Sequence, residues 1–223
     1  RNGSWEIILK INSEDYSPYL SSPIGIDKTG RMLFFTDNRN RDTAALKVLD
    51  LDSGRETLIA EDPNADASAV LVHPRDCTIQ AVAFTYDRKH WKILDSSIEK
   101  DMARLREVAD GEMDVVSRSL DDKAWIVSYL RDNGPGDYYY YNRSSGEARF
   151  LFTWNKELED KPLARMHPVI IKSRDGLDLI SYITLPLGRD GDGNDHPDRP
   201  LPLVLLVHGG PWYRDNWGYN SIH

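Results

Sequence analysis

The sequence contains a single cysteine, Cys77, among 223 residues. One cysteine cannot form an internal disulfide or build a metal site of the cysteine type. The sequence also lacks an excess of positive charge, since its net charge is −8. Binding to a nucleic-acid backbone needs a basic face, so nucleic acid is not expected as a partner. No stretch approaches the ~20 apolar residues of a membrane-spanning helix, so no membrane association is expected.

Short β-strands that recur at a fixed interval dominate the first 165 residues. Two segments, starting at Gly25 and Ser119, share one order of features: a polar turn, an apolar strand, a polar loop, a second strand and a Ser-Gly turn. A third unit starts near Val72, so the unit starts at 25, 72 and 119 are 47 residues apart. The repeat predicts strands at Met32–Thr36, Leu46–Leu51, Trp125–Leu130 and Tyr138–Tyr141.

A period in the forties with several short strands per unit is typical of β-propeller blades. One small sheet cannot bury both of its faces alone, whereas stacked blades bury them against each other. The run Trp5–Ile11 is predicted to be the last strand of a preceding blade, which gives three blades and part of a fourth within residues 1–165. A β-sandwich with turns at similar spacing is the alternative fold.

The middle unit contains a stretch with helical periodicity. Ile98, Met102, Leu105 and Val108 recur at intervals that put them on one face of a short helix. Ser96 or Ser97 is predicted to be the N-cap of this helix. The apolar stripe indicates packing against the blade and not a ligand site.

From residue 166 the pattern changes, and residues 166–223 are predicted to form a separate domain. Strands are predicted at Val169–Lys172 and Leu179–Leu185, because the Asp-Gly pair between them indicates a hairpin. The later run Leu203–Val207 is apolar on both faces, as the strands of a covered parallel sheet are. It is therefore predicted to be such a strand.

The intervening loop, residues 188–200, resembles a calcium-binding loop only in part. Asp190, Asp192 and Asn194 occupy positions 1, 3 and 5 of such a loop. Position 6 is not glycine and position 12 is not glutamate, so the spacing fails the pattern that binds calcium. A solvated loop is predicted here, and no metal site is predicted in the chain.

His208, Gly209, Gly210 and Pro211 directly follow the last predicted strand. Glycine lets the backbone approach a bound group closely. A free backbone N–H in such a turn can donate to the negative charge that develops during acyl transfer. The turn is therefore a candidate oxyanion-hole loop, and a plain glycine turn at a sheet edge is the alternative.

Three features together resemble the prolyl oligopeptidase family of serine peptidases, nearest its acylaminoacyl-peptidase and dipeptidyl-aminopeptidase branch. They are the repeats, the hairpin sequence SRDGLDLISYITLP at 173–186, and VLLVHGGPWYRDNWGYN at 204–220. The resemblance implies a mainly β chain, with a partial β-propeller followed by the first strands of a truncated α/β-hydrolase domain. It also implies hydrolysis of short peptide substrates without a cofactor.

The same resemblance implies roles for five residues around the turn. Gly210 would supply the backbone N–H of the oxyanion hole, and Gly209 would shape the turn. His208 would brace the loop and would not be the general base. Trp212 and Tyr213 are candidates for substrate binding.

The residues that would complete the reaction are not recognisable in the sequence. The family's nucleophile lies in a G-x-S-x-G turn, followed in the chain by an acid and a histidine, and this sequence contains no such turn. Nucleophile, acid and base are therefore expected downstream of His223, and the chain alone is expected to be inactive. The remaining histidines are expected to be structural or solvent-facing: His73, His90, His167 and His196.

Two other functions fit parts of the pattern. A partial propeller can serve as a binding module for a peptide or protein partner. An esterase-like hydrolase would also use a His-Gly-Gly loop, although its motif more often reads H-G-G-G. An incomplete ring leaves open strand edges, so association with a complementary chain or an oligomer is expected. The composition favours a soluble, cytoplasmic protein.

Overall fold

The computed structural model describes residues 3, 5, 7–12, 21–210 and 213–223. Within these ranges the chain is mainly β, with thirteen strands in four antiparallel sheets. Every strand pairs only with strands that neighbour it in sequence, so each sheet is a simple meander. Short polar turns between alternating apolar strands favour this connection.

The first sheet consists of β1 (Ser22–Ile26), β2 (Met32–Asp37), β3 (Ala45–Asp50) and β4 (Glu56–Ala60). The strands predicted at residues 32–36 and 46–51 are confirmed to within one residue at each end. The predicted Ser-Gly turn lies between β3 and β4, where Gly54 has a φ of +71°. A left-handed φ of this kind is the conformation that glycine adopts without a Cβ clash.

The second sheet has three strands and ends in a helix. Its strands are β5 (Ala67–Val72), β6 (Ile79–Thr85) and β7 (Lys89–Ile93). A 3₁₀ turn at Ser96–Ile98 leads into α1 (Glu99–Leu105).

The predicted cap of this helix is wrong. Asp95 caps the start of the helical segment, because its carboxylate accepts a hydrogen bond of 2.9 Å from the backbone N–H of Ser97. Ser96 and Ser97 lie inside the 3₁₀ turn. An aspartate caps as well as a serine does, and the helical segment starts one residue earlier than predicted.

The third sheet consists of β8 (Glu112–Arg118), β9 (Ala124–Leu130), β10 (Asp137–Asn142) and β11 (Glu147–Thr153). The predicted strands at 125–130 and 138–141 are confirmed. A second 3₁₀ turn follows at Lys156–Leu158.

The three sheets begin at residues 22, 67 and 112, so their starts are 45 residues apart. Each structural repeat therefore begins one strand earlier than the sequence units did. The sequence missed this strand because its pattern is weak. In β1, for example, a proline and a glycine interrupt the strand, and its side chains are largely exposed.

The sheets stack face to face in chain order. Leu46 of the first sheet and Val82 and Phe84 of the second lie in one apolar cluster between those two sheets. A second cluster fills the space between the second and third sheets and includes Ile98 of the 3₁₀ turn and Met102 and Leu105 of α1. Val108, predicted to lie on the same helix, packs against this cluster from beyond the end of α1. Trp125 of the third sheet is completely buried within the cluster. Three sheets stacked in succession differ from a two-sheet sandwich.

A buried ionic network holds the third sheet near α1. The carboxylate of Asp122 accepts hydrogen bonds from Arg118 Nε at 2.7 Å and from Trp125 Nε1 at 2.8 Å, and it also pairs with Arg143. Both guanidinium groups lie over the indole ring, 4.9 and 4.8 Å from its centre. Burial lowers the pKa of Arg118.

The network continues into the helix through Asp101. Its carboxylate accepts a hydrogen bond of 2.8 Å from Arg143 Nε and one of 2.9 Å from the hydroxyl of Tyr141. Burial and this hydrogen bond raise the pKa of Tyr141 to about 12. Helix and sheet therefore share one set of polar contacts as well as an apolar interface.

The strand predicted at Trp5–Ile11 does not form in the described part of that run. Trp5 is fully exposed, and Leu9 packs against the free face of the first sheet. A strand needs a neighbouring strand for its backbone hydrogen bonds. The described residues supply no such neighbour to this run.

A hairpin follows the third sheet, formed by β12 (Met166–Lys172) and β13 (Asp178–Thr184). It confirms the hairpin predicted around Asp175-Gly176, and Gly176 has a φ of +88° in the turn. The strand predicted at Leu203–Val207 is wrong for this structure, because these side chains are 48–89% exposed and the segment pairs with none of the described strands. The apolar run is sheet-like in sequence, but the described residues provide no sheet for it to join.

Candidate functional site

The His-Gly-Gly turn lies exposed at the surface. The Nδ1 atom of His208 lies 2.6 Å from the carbonyl oxygen of Gly209. A carbonyl oxygen only accepts, so Nδ1 carries the proton and the imidazole braces its own turn. The ring of His208 lies 6.0 Å from the ring of Tyr213, which is also exposed. Trp212 lies outside the described residues.

Neither glycine of the turn is held in a conformation that requires glycine. Gly209 and Gly210 have no left-handed φ, and no described atom lies within 4 Å of where a Cβ would be. The described residues supply no backbone acceptor for the N–H of Gly210. Within the described part of the chain, that N–H is therefore left without a backbone partner.

The segment that follows the turn is fastened to the second sheet by Arg214. Its guanidinium donates hydrogen bonds to two successive backbone carbonyls, Thr85 O at 2.6 Å and Tyr86 O at 2.5 Å. It also donates to the hydroxyl of Tyr182 on β13, at 3.3 Å. One side chain thus joins the end of β6 to the hairpin.

Trp217 makes the second attachment. It is only 6% exposed, and its indole Nε1–H donates a hydrogen bond of 2.7 Å to the carbonyl of Met166, where β12 begins. The guanidinium of Arg88 lies 3.3 Å from the centre of the indole ring. The indole is therefore fixed by a hydrogen bond at its nitrogen and by a cation–π contact over its ring.

A third attachment involves backbone atoms. Gly218 has a φ of +135°, and a Cβ at this position would lie 2.6 Å from the side chain of Leu130. The next residue, Tyr219, donates its backbone N–H to the carbonyl of Arg131 at 2.7 Å. Glycine is needed here because the segment passes directly over the end of β9.

The hairpin is tied to the second sheet by two tyrosines. Tyr182 donates its hydroxyl proton to the carbonyl of Asp87 at 2.7 Å, and Tyr86 donates to the Asp178 carboxylate at 3.1 Å. Burial raises the pKa of Tyr182, and a hydrogen bond from Lys172 lowers the pKa of Asp178. At neutral pH the phenols therefore stay protonated and can act as donors.

A cleft of about 340 Å³ opens between the ends of the second and third sheets. Arg88 and Lys89 on its rim form ion pairs with Glu112 at 2.9 Å and Asp114 at 2.6 Å. None of the site residues predicted from the sequence lines this cleft. The cleft is lined by residues 88–91, Arg106, Ala109, residues 111–113 and Tyr129.

The Asp-rich loop at 188–200 uses its carboxylates within itself and against β12. Asp190 and Asp192 accept hydrogen bonds from the backbone N–H of Asn194, and Asp195 pairs with His167 of β12 at 2.8 Å. Among the residues that the structure describes, no group of three or more acidic, histidine or cysteine side chains is arranged to hold a metal ion.

No helix in the described ranges has the length and apolar character that crossing a membrane requires.

The sequence located the turn but not what holds it. The sequence pattern assigns no role to Arg214 and Trp217, which follow the motif. It assigns none to Arg88 or Tyr182 either. The partners of Arg214 on β6 lie 128 and 129 positions away in the chain. The one local signal is the density of aromatic and charged residues in 212–219, which is unusual for a plain turn.

Comparison with known proteins gives relatives over the whole chain. No protein-family model matches the sequence. The chain is 45% identical to dipeptidyl aminopeptidase BIII from Pseudoxanthomonas mexicana over 222 residues, which cover all of this chain and 32% of that protein. It is 26% identical to dipeptidyl peptidase family member 6 from Caenorhabditis elegans, covering 99% of this chain and 32% of that protein.

Solved structures share the fold at low sequence identity. A Bacteroides ovatus protein assigned as a dipeptidyl aminopeptidase IV superposes with a TM-score of 0.56 at 13% identity, over 91% of this chain and 31% of its own. A prolyl endopeptidase superposes with a TM-score of 0.52 at 11% identity, over 78% of this chain and 25% of its own. The chain thus spans about a third of the length of the curated relatives that it matches. Over its whole length the chain is therefore similar in sequence to two dipeptidyl peptidases, and it shares its fold with part of a prolyl endopeptidase.

Proposed function

We propose that this chain forms part of a serine peptidase that hydrolyses short peptides, and that it contributes propeller blades and the first strands of an α/β-hydrolase domain. Three stacked meander sheets whose starts are 45 residues apart support the blade assignment. The hairpin and the His-Gly-Gly turn after it support the second domain, with the boundary near residue 166. The names of the relatives at 45% and 26% identity support action on peptides.

Within that peptidase, the backbone N–H of Gly210 is one donor of the oxyanion hole. Its N–H lacks a backbone acceptor among the described residues and lies in an exposed turn. Gly209 shapes the turn, and His208 braces it through the Gly209 carbonyl. Tyr213 and Trp212 follow directly in the chain and are the residues assigned to contact substrate.

The observation that carries the proposal is the attachment of residues 214–219. This segment starts four residues after Gly210 and contacts the second sheet, the third sheet and the hairpin. An isolated glycine turn has no need of such an anchor. A turn that must present a backbone donor at a fixed place does, because an oxyanion donor works only within about 3 Å of the charged oxygen.

The chain alone does not catalyse the reaction. It contains no G-x-S-x-G turn, and covalent acyl transfer requires an activated nucleophile. An oxyanion donor without that nucleophile cannot carry out covalent hydrolysis.

A chimera tests the proposal. This chain replaces the matching third of dipeptidyl aminopeptidase BIII, and release of a chromogenic group from dipeptide substrates is measured. The chimera is expected to turn over substrate and to react with a fluorophosphonate probe, while this chain alone does neither. An inactive but folded chimera, together with peptide binding by the chain alone, would favour the binding-module function instead.

Two substitutions at one position isolate the backbone donor. Gly210→Pro removes the N–H and is expected to lower kcat of the chimera about 10²- to 10³-fold. Gly210→Ala keeps the N–H and finds open space in the structure, so it is expected to retain activity. Equal activity of the two variants would contradict the oxyanion role.

A further inference from the structure

We propose that Arg214 and Trp217 are positioning residues that fix the His-Gly-Gly turn relative to the second sheet and the hairpin. This inference rests on the proposed oxyanion role of Gly210. It goes further, because it attributes the accurate positioning of the His-Gly-Gly turn to contacts made by residues outside the motif.

The turn cannot hold itself in place. Its residues are exposed, and no atom packs against the Cβ positions of either glycine. The local brace between His208 and Gly209 fixes the shape of the turn, but it fixes no distance to the rest of the protein. The position of the turn must therefore come from neighbouring residues of the chain.

Among the residues after the turn that the structure describes, Arg214 is the first whose side-chain contacts fix a position. Its donors form a planar fork of fixed geometry, and they bind carbonyls of two successive residues, Thr85 and Tyr86. Two hydrogen bonds from one planar group determine its orientation as well as its distance. Four residue steps separate Arg214 from Gly210 and span at most about 14 Å when extended, so the anchor limits how far the turn can move.

The charge around Arg214 also favours this attachment. Asp66, at the start of the second sheet, interacts electrostatically with Arg214. Burial raises the pKa of Asp66, while the positive charge of Arg214 opposes that rise. The guanidinium therefore binds two carbonyl dipoles and is also attracted by a nearby carboxylate.

Trp217 gives the segment a second point of attachment, three residues after Arg214. Its indole N–H is bound to Met166 O, at the start of the hairpin, and its face is covered by Arg88 from the second sheet. Tyr182 joins the same two elements and receives a hydrogen bond from Arg214. The second sheet, the hairpin and residues 214–219 are thus connected to one another. Loss of Arg214 removes its own contacts and loosens those of Tyr182 and Trp217.

The functional consequence follows from how an oxyanion hole works. The donor stabilises charge that exists mainly in the transition state, so a displaced donor lowers kcat more than it changes KM. A displacement of about 1 Å from a distant substitution can cost about 10²-fold in rate.

The first test uses this chain by itself and needs no activity. Exchange of the Trp217 indole proton with solvent is followed by NMR in the native chain, Arg214→Met and Arg75→Met. Arg75 is the matched control, because it also donates to a backbone carbonyl, Leu120 O at 2.8 Å, but near the opposite end of β6. Arg214→Met is expected to speed this exchange about tenfold, whereas Arg75→Met leaves it unchanged. Unchanged exchange in Arg214→Met would overturn the proposal.

The second test uses the active chimera. Arg214→Met is expected to lower kcat about 10- to 100-fold with KM nearly constant, and Arg214→Lys, which keeps the charge and a donor, to give an intermediate loss. If Gly210→Pro abolishes activity while Arg214→Met matches the parent, the positioning role is wrong. If Gly210→Pro has no effect, the oxyanion role is what fails, and the indole exchange still decides whether Arg214 holds the segment.

Discussion

Replacement of Asp122 by asparagine should destabilise the chain strongly, because this carboxylate is the centre of the buried network. Asp122 is less than a tenth exposed and binds Arg118, Arg143 and the indole of Trp125. It also has a φ of +56°, which asparagine tolerates better than most residues. The substitution therefore removes the charge while it keeps the size and the backbone conformation.

The size of the destabilisation depends on which charges stay buried without a partner. Removal of one partner of a buried ion pair costs about 3–5 kcal/mol, because the other charge stays buried without compensation. Arg143 retains Asp101 as a partner and is 19% exposed, whereas Arg118 is only 6% exposed and has no second carboxylate among its described contacts. We therefore expect the lower end of the range, about 3 kcal/mol, which for a chain of this size lowers Tm by about 6–12 °C.

Urea-induced unfolding measures the effect, with far-ultraviolet circular dichroism and tryptophan fluorescence as independent probes. The neighbouring Asp121 supplies the matched control, since its carboxylate is exposed on the same turn. Asp121→Asn is expected to unfold at the urea concentration of the native chain. A loss below about 1 kcal/mol for Asp122→Asn would refute the view that the network carries net stability.

Three further substitutions test the first and third sheets. Burial raises the pKa of Asp37, but hydrogen bonds from Arg39 and Lys47 lower it more, to about 2. The stability from this carboxylate is thus present above about pH 4 and lost as the pH falls toward 2, so Asp37→Asn should show a smaller drop in urea midpoint over that interval. An equal drop in urea midpoint for Asp37→Asn and the native chain would contradict this role of Asp37. Gly111→Ala should lower the free energy of unfolding by about 3 kcal/mol or more, because its φ is +113° and a Cβ would lie 2.2 Å from a backbone carbonyl oxygen. Gly146→Ala is the control, since its φ is +69° and a Cβ would find open space, and it should cost about 1 kcal/mol. Similar urea midpoints for the two alanine variants would contradict the steric argument.

The strands that the sequence predicts well combine an apolar run with a clear turn signal. Both are present at β2, β3, β9 and β10, each of which pairs with a strand one turn away. The missed strand β1 pairs just as locally, but a proline and a glycine interrupt its apolar run. The helical stripe beginning at Ile98 was recognisable because the spacing of its apolar residues is set by the helix itself.

Long-range partners explain where the sequence fell short. Leu203–Val207 has the composition of a buried strand, but a strand forms only where other strands accept its hydrogen bonds. The role of Arg214 depends on carbonyls more than a hundred positions earlier, and a carbonyl belongs to every residue. The His-Gly-Gly turn could be found from its residue types, whereas its anchor could be found only from the fold.

The stacking of the sheets has a consequence for how the chain opens. Each sheet shares an apolar interface only with the next, so stability is divided among successive interfaces as in a linear array. The interface between the second and third sheets combines the larger cluster with the ions around Asp122. Its amides should therefore exchange last with solvent. One face of the first sheet is covered, among the described residues that lie outside this sheet, only by Leu9. The first sheet should therefore open first and independently of the other two.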